Sequence, residues 1–273
     1  MLNSRETVGR TGTSAVGGGA LDAVGLDGTA IKPREVDLDR VVDANVGSIT
    51  VDYEGHDHVP DVGTLDRLAA DRDVRVTIPV RADGFDPLGD AGALETLPDT
   101  VDRVYVAGNP AYLESHERER AVAPRLGAAM DGEDDAWVGT EGIERMALAT
   151  GATQFELLSR DTLTQVRGIR AAGFGGDIAV YAPTVLTDDE DEILDALGGY
   201  VSRRKPVARA LPDGAPTDST ATGRARTVLL SAARDYALVG SLDTVGERVD
   251  ALRSAGVDTV VGYPARGVGE FVA

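Results

Sequence analysis

The chain has 273 residues, 42% of them hydrophobic and only 4% aromatic, and its 46 acidic and 27 basic residues give a formal net charge of −19. So acidic a chain argues against nucleic acid as a partner, because contact with phosphates needs clustered lysine and arginine. The sequence contains no cysteine, which excludes disulfides, thiolate catalysis and cysteine-bound metal centres.

The N-terminal residues 1–20 are predicted to form a flexible tail, because they lack the continuous apolar run of a signal peptide. Nowhere does the sequence contain the roughly 18 consecutive apolar residues that a membrane-spanning helix needs. We therefore expect a cytoplasmic protein that does not enter a membrane.

Eight short apolar runs follow in chain order, separated by segments with the apolar spacing of amphipathic helices. The runs occupy residues 21–26, 47–51, 74–80, 103–108, 136–139, 153–158, 177–183 and 258–264. Strands that alternate with helices predict parallel βαβ units. Eight such units predict an α/β fold, a single (β/α)8 TIM barrel over residues 21–273. Closure then requires residues 259–262 to pair in parallel with residues 22–26.

The regular spacing breaks between the seventh and eighth runs. Residues 184–257 contain an amphipathic helix with Ile193, Leu194 and Leu197 on one face, and a connector rich in proline, glycine and threonine at residues 211–223. We therefore predict an insertion before the last strand.

The C-terminal segment has the pattern of a capped helix followed by a strand. It covers residues 235–271, DYALVGSLDTVGERVDALRSAGVDTVVGYPARGVGEF. Ser241 is suited to cap a helix whose apolar stripe includes Val245 and Val249, and Gly256 is suited to end it before the last strand. The segment resembles the C-terminal signature of luciferase-like barrels, and most of all that of methylenetetrahydromethanopterin reductase-like proteins, here of a haloarchaeal type.

The resemblance implies an oxidoreductase that transfers a hydride between a flavin-type cofactor, F420 or FMN, and a small organic substrate. A one-carbon pterin carrier is among the candidate substrates, and a homodimer is one option for assembly. The alternative is a barrel that has lost catalysis and binds a metabolite or a protein partner, since a barrel alone does not define a function.

Active sites of such barrels lie at the carboxyl ends of the strands, so polar residues directly after the apolar runs are the candidates. After the second run come Asp52, Glu54 and His56. The carboxylates and imidazole predicted as catalytic acids or bases are Glu54, His56 and Glu141. The predicted cofactor-binding residues are Arg81, Asn109, Gly262, Tyr263, Arg266 and Gly267.

The segment GYPARG at residues 262–267 carries the prediction of a phosphate site. Glycine backbone amides allow the close approach of a phosphate, and Arg266 is suited to a bidentate contact. The alternative for Arg266 is an ion pair with a neighbouring carboxylate.

His56 and His58 stand two residues apart, like the paired metal ligands of hydrolase barrels. Such sites take further histidines from later strands, whereas the third histidine, His116, falls in a segment predicted to be a helix. We therefore predict no metal site.

The acidity, with only Lys32 and Lys205 as lysines, is typical of a halophilic, archaeal protein. We expect the melting temperature to fall when molar potassium chloride is replaced by dilute buffer, because the charge of −19 repels itself where the Debye length is long. Thermal melts at both salt concentrations test this. Equal midpoints would contradict a surface adapted to salt.

Overall fold

The computed structural model describes residues 19–38, 41, 47–133 and 135–272. Eight parallel strands close a barrel in the order β1-β2-β3-β4-β5-β6-β7-β9, and β9 returns to β1. A short ninth strand, β8, adds to the end of β7. The strands are β1 (Gly28–Ile31), β2 (Ser48–Val51), β3 (Asp73–Pro79), β4 (Val101–Val106), β5 (Trp137–Gly139), β6 (Thr153–Leu157), β7 (Ile178–Val185), β8 (Leu238–Val239) and β9 (Thr259–Pro264). The predicted barrel is confirmed.

The position of the first strand was predicted wrongly. Residues 22–26 do not pair with the last strand, because Ala20–Val24 form a helix that Gly25 ends at a φ of 72°. Leu21 and Val24 lie three residues apart and are both buried, which is the spacing of a helix face. The strand that closes the barrel is β1, in which Gly28 pairs with Val261.

Helices surround the barrel and cover the outer faces of its strands. Those outside the insertion are α1 (Ala20–Val24), α2 (Val62–Ala69), α3 (Gly92–Glu95), α4 (Ser115–Arg118), α5 (Val122–Ala129), α6 (Glu144–Thr150), α7 (Thr162–Ala171), α11 (Leu242–Ala255) and α12 (Gly269–Val272). In α11 the side chain of Ser241 accepts a hydrogen bond from the backbone N–H of Thr244, and Gly256 ends the helix at a φ of 111°. Both predicted caps are confirmed.

The predicted insertion between β7 and β9 is present. It consists of α8 (Glu190–Ser202), α9 (Lys205–Ala210), α10 (Gly223–Tyr236) and the strand β8. Leu194, Leu197 and Val201 of α8 pack with Leu229 and Tyr236 of α10 in a hydrophobic cluster of their own. The insertion therefore stands beside the end of β7 as a small packed layer.

The barrel interior is apolar along most of its length. Ala30, Val104, Phe155, Ala179 and Val261 pack together inside it. Near the amino ends of the strands, Trp137 completes this core, and the Arg75 guanidinium lies 4.2 Å from the centre of its ring. Polar side chains face the interior at the carboxyl end as well, where they form the candidate site.

The structure does not test the predicted tail or the predicted single domain. Residues 1–18 of the predicted tail lie outside the described residues, and the single-domain assignment stays a prediction. Among the residues that the structure describes, every helix is too short or too polar to cross a bilayer.

Candidate active site

Asp52 lies at the carboxyl end of β2, and a tyrosine from across the barrel holds its carboxylate. The hydroxyl of Tyr181, on β7, donates a hydrogen bond to Asp52 Oδ2 at 3.1 Å. Lys32 directly follows β1 and is close enough to act on Asp52 electrostatically. Three strands therefore bring one carboxylate, one phenol and one ammonium group together at the mouth of the barrel.

The environment of Asp52 favours its protonated form. Burial raises the pKa of Asp52 to about 7, against the lowering effects of the Tyr181 hydrogen bond and of the Lys32 charge, while Glu54 and Glu35 raise it further. A carboxyl group with a pKa near neutrality gives and takes protons at the pH of most cells. Asp52 is therefore the candidate general acid and base of this barrel.

Two stacked tyrosines extend the site across the mouth. The rings of Tyr181 and Tyr263 have centroids 6.3 Å apart and an interplanar angle of 12°. Lys32 Nζ lies 4.1 Å from the centroid of the Tyr263 ring, and the Tyr263 hydroxyl donates a hydrogen bond to Glu35. We call Lys32, Glu35, Asp52, Tyr181 and Tyr263 the mouth cluster.

Both tyrosines of the mouth cluster keep their protons. Burial, and in addition the neighbouring Asp52 and Tyr200, raise the pKa of Tyr181 well above its usual value. Burial and the hydrogen bond to Glu35 likewise raise the pKa of Tyr263. Each phenol therefore acts as a hydrogen-bond donor. Because Tyr200 belongs to α8, the insertion reaches the edge of the mouth.

The three predicted catalytic residues do not come together. Glu54 is 5% exposed, and its carboxylate accepts hydrogen bonds from the backbone N–H of Arg34 at 2.9 Å and from the Tyr112 hydroxyl at 3.3 Å. His56 Nε2 lies 3.3 Å from Glu117 Oε1. Glu141 follows β5 and pairs with Arg204 at 3.3 Å. Glu54 borders the mouth cluster and connects two loops beside it. His56 contacts Glu117 and Glu141 contacts Arg204, so neither joins Glu54 in one site.

Two predicted cofactor-binding residues hold the protein's own loops. Arg81 donates hydrogen bonds to the carbonyl oxygens of Ala107, Gly108 and Arg118, at 2.6, 3.0 and 3.0 Å. Asn109 Oδ1 accepts a hydrogen bond from the Ala111 backbone N–H at 2.9 Å. Asn109 thus caps a turn, and Arg81 connects the loop after β3 to the segments that follow β4.

The segment at residues 262–267 divides between the barrel interior and its outside. Tyr263 faces inward in the mouth cluster. A Cβ atom on Gly262 would lie 2.7 Å from Leu26 Cδ1, so this glycine allows the strand to pack closely against the layer outside it. Arg266 Nη1 lies 3.0 Å from Glu192 Oε2 and 3.6 Å from Glu270 Oε1, and Gly267 forms a turn at a φ of 96°.

Lys32, Glu35 and Tyr181 were missed in the sequence. Lys32 and Glu35 follow β1, which was predicted at residues 21–26 but lies at Gly28–Ile31. With the strand in its correct position, both residues would have been predicted at the mouth. Tyr181 lies within β7, two residues after the inward-facing Ala179, so period-two alternation along the strand is the signal that indicates it.

The fold is similar to that of several proteins of known structure. An F420-dependent secondary alcohol dehydrogenase, solved with an F420-acetone adduct, has a TM-score of 0.58 and 12% identity over 88% of this chain and 94% of its own. The coenzyme F420-dependent tetrahydromethanopterin reductase from Methanopyrus kandleri has a TM-score of 0.56 and 15% identity over 90% and 98%. The apo form of MsnO8 has a TM-score of 0.56 and 13% identity over 89% and 96%. The chain thus shares the (β/α)8 TIM-barrel fold of these proteins.

Comparison with known sequences identifies a family but no characterised relative. No curated protein matches the chain. The model of a family of unknown function, DUF7388, matches residues 21–271. Because this match spans nearly the whole sequence, the chain belongs to the DUF7388 family.

Proposed function

We propose that the protein is a cytoplasmic oxidoreductase that transfers a hydride between coenzyme F420 and a small alcohol or carbonyl compound. The observation that carries the proposal is the Asp52 carboxyl group, whose pKa of about 7 and bond to Tyr181 equip it for proton transfer at the mouth of the barrel. The fold that the chain shares with F420-dependent enzymes supports the choice of cofactor.

The side chains at the mouth fit a flat, anionic cofactor in their chemistry. Tyr181 is the less buried of the two stacked tyrosines, and its ring is the aromatic surface that we expect a planar ring to contact. Lys32 supplies positive charge beside them, and Arg204 lies 4.7 Å from the centroid of the Tyr200 ring at the side of the insertion. Lysine and arginine at these points suit an anionic group in a chain that is otherwise strongly acidic.

F420, when bound, supplies the hydride donor or acceptor, and the protein supplies the proton. As a hydride leaves the carbon of an alcohol, the ionised Asp52 takes the hydroxyl proton, so that a carbonyl compound and a protonated Asp52 result. In the reverse direction Asp52 returns that proton to the carbonyl oxygen. Tyr181 is a positioning residue, because its hydroxyl orients the Asp52 carboxylate.

The test is a turnover assay in molar potassium chloride. Reduced F420 is mixed with the protein and, in separate reactions, with small ketones, small aldehydes or a one-carbon pterin carrier. The return of the visible absorbance of oxidised F420 is followed. We expect enzyme-dependent oxidation with at least one carbonyl compound. Oxidation only with a one-carbon pterin carrier would keep the cofactor and change the substrate class.

A second candidate function is a barrel without catalysis that binds a metabolite or a protein partner. It is favoured by the contacts of Arg81, Asn109, Gly262 and Arg266, all of which serve the protein's own structure. A chain that neither binds nor oxidises F420, while its fold is intact, supports this second function and removes the first.

Arg266 and Gly267 remain our proposal for the contact with the cofactor phosphate. Arg266 is partly exposed and held by Glu192 and Glu270, so a phosphate can replace these carboxylates as its partner. We expect Arg266→Ala to weaken F420 binding at least about tenfold, as the loss of a charge-assisted contact worth about 1.5 kcal/mol or more requires.

Titration of F420 into the variant and into Arg209→Ala measures this effect. Arg209 is an exposed arginine on α9 and controls for the loss of one positive charge. Equal affinities of the two variants for F420 would mean that Arg266 only forms ion pairs with Glu192 and Glu270. The loss of such exposed pairs changes stability by about 1 kcal/mol or less.

A further inference from the structure

Two of the three histidines contact neighbouring carboxylates at the rim of the barrel, although 60 residues separate them in the sequence. His56 follows β2 and lies beside Glu117, and His116 precedes Glu117 in α4 and contacts Asp83 from the loop after β3. We call His56, Asp83, His116 and Glu117 the rim cluster. Its members come from the segments that follow three consecutive strands.

Each carboxylate is held by other groups of the protein and also contacts a histidine. Glu117 is fully buried, and its Oε2 accepts the backbone N–H of Glu114 at 2.6 Å. Its Oε1 accepts the backbone N–H of Asp83 at 2.7 Å and lies 3.3 Å from His56 Nε2. Asp83 Oδ1 accepts a hydrogen bond from Arg120, and Oδ2 lies 2.8 Å from His116 Nε2.

The spacing of these atoms suits a single metal ion. One ligand atom each from Asp83, His116 and Glu117 lies within 4.8 Å of the other two. Ligand atoms placed about 2.0–2.2 Å from a tetrahedral Zn²⁺ are separated by less than this limit, so a small rearrangement closes the shell. His56 Nε2 lies 3.3 Å from Glu117 Oε1 but outside this group of three, so its exposed ring has to turn toward the other ligands to serve as the fourth.

The local charge also suits a cation. Arg120 pairs with Asp83 and Asp86, and Arg125 pairs with Asp86. Together with Glu117, these three carboxylates and two guanidinium groups leave one net negative charge when both imidazoles are neutral. The two histidines are 46% and 59% exposed in their side chains, so an ion can reach them from solvent.

We propose that the rim cluster binds one Zn²⁺ ion through two imidazole nitrogens and two carboxylate oxygens, which are ligands that Zn²⁺ accepts. The ion replaces the hydrogen bonds between each histidine and its carboxylate. The backbone N–H groups on Glu117 and the arginine on Asp83 keep the ligands oriented, as outer partners do in established metal sites. The bound ion joins the loops after β2, β3 and β4 and does not depend on the proposed redox activity.

The test is a titration of Zn²⁺ against a chromophoric chelator in molar potassium chloride, with the wild-type chain and three histidine variants. We expect the wild type to bind one ion per chain, and His56→Ala and His116→Ala to bind at least about tenfold more weakly. His58→Ala is the matched control, since it removes the third imidazole from the same turn but lies outside the rim cluster.

Thermal melts give a second readout that needs no cofactor. Zn²⁺ should raise the melting temperature of the wild type and of His58→Ala, and should have little effect on His116→Ala, because ligand binding to the folded state stabilises it. No binding by the folded wild type, or equal weakening by His58→Ala and His116→Ala, overturns the proposal.

Discussion

Replacing Asp52 with asparagine is expected to lower the rate of the proposed hydride transfer between F420 and its substrate by about 10²- to 10⁴-fold. Asparagine keeps the size of the side chain and an oxygen that accepts the Tyr181 hydroxyl, but it cannot take or give a proton. The loss should appear in kcat, with F420 affinity nearly unchanged, since the carboxyl group acts on the reacting substrate.

Steady-state assays of Asp52→Asn beside Asp99→Asn measure this effect. Asp99 is exposed and stands before β4, at the opposite end of the barrel, so its replacement controls for the loss of a carboxylate. Tyr181→Phe supplies a further check through the pH profile. The Tyr181 hydrogen bond lowers the pKa of Asp52, so its removal should move the Asp52 limb of the profile to higher pH. Unchanged turnover in Asp52→Asn would rule out Asp52 as the acid and base.

The same Asp52→Asn substitution should make the protein more stable at pH 8. In the folded state burial raises the pKa of Asp52 to about 7, above the ordinary value of 3.8 that the unfolded chain retains. The folded state therefore holds an extra proton between these values, and its stability falls as the pH rises from about 4 through 7. Above that range the cost of a buried charge is fully present, and asparagine does not carry it.

We expect a gain of up to about 4 kcal/mol at pH 8 and little or none at pH 4, given the rise in the Asp52 pKa from 3.8 to about 7 and roughly 1.4 kcal/mol for each pKa unit. Denaturation of the wild type and the variant in molar potassium chloride at both pH values measures the difference. A difference of the same size at both pH values would mean that the Asp52 carboxyl group titrates alike in the folded and unfolded chains.

The barrel could be predicted because buried parallel strands are continuous apolar runs, and the pattern of such runs survives in one sequence. Seven of the eight predicted runs overlap the barrel strands that were observed. The first failed because Leu21, Val24 and Leu26 fit both a short apolar run and one turn of a helix. Only the left-handed Gly25 and the pairing of β1 with β9 distinguish these alternatives.

The candidate site was predictable in place but not in composition. Polar residues after the strands were expected at the mouth, and Asp52 and Tyr263 are there. Contacts between distant segments decide which of these side chains can bind a ligand. Arg81, for example, donates its hydrogen bonds to three backbone carbonyl groups of the protein itself. The contacts of His56 with Glu117 and of His116 with Asp83 are likewise tertiary contacts, which the spacing of histidines along the chain does not reveal.

The most direct test of the central claim is an equilibrium titration of F420 into the folded wild-type protein in molar potassium chloride, followed by the fluorescence of the deazaflavin, with FMN titrated in parallel. The account predicts saturable binding of one F420 per chain, tighter than the binding of FMN. Fluorescence that does not change with added protein, at concentrations where the chain is folded and monodisperse, would contradict an F420-dependent oxidoreductase.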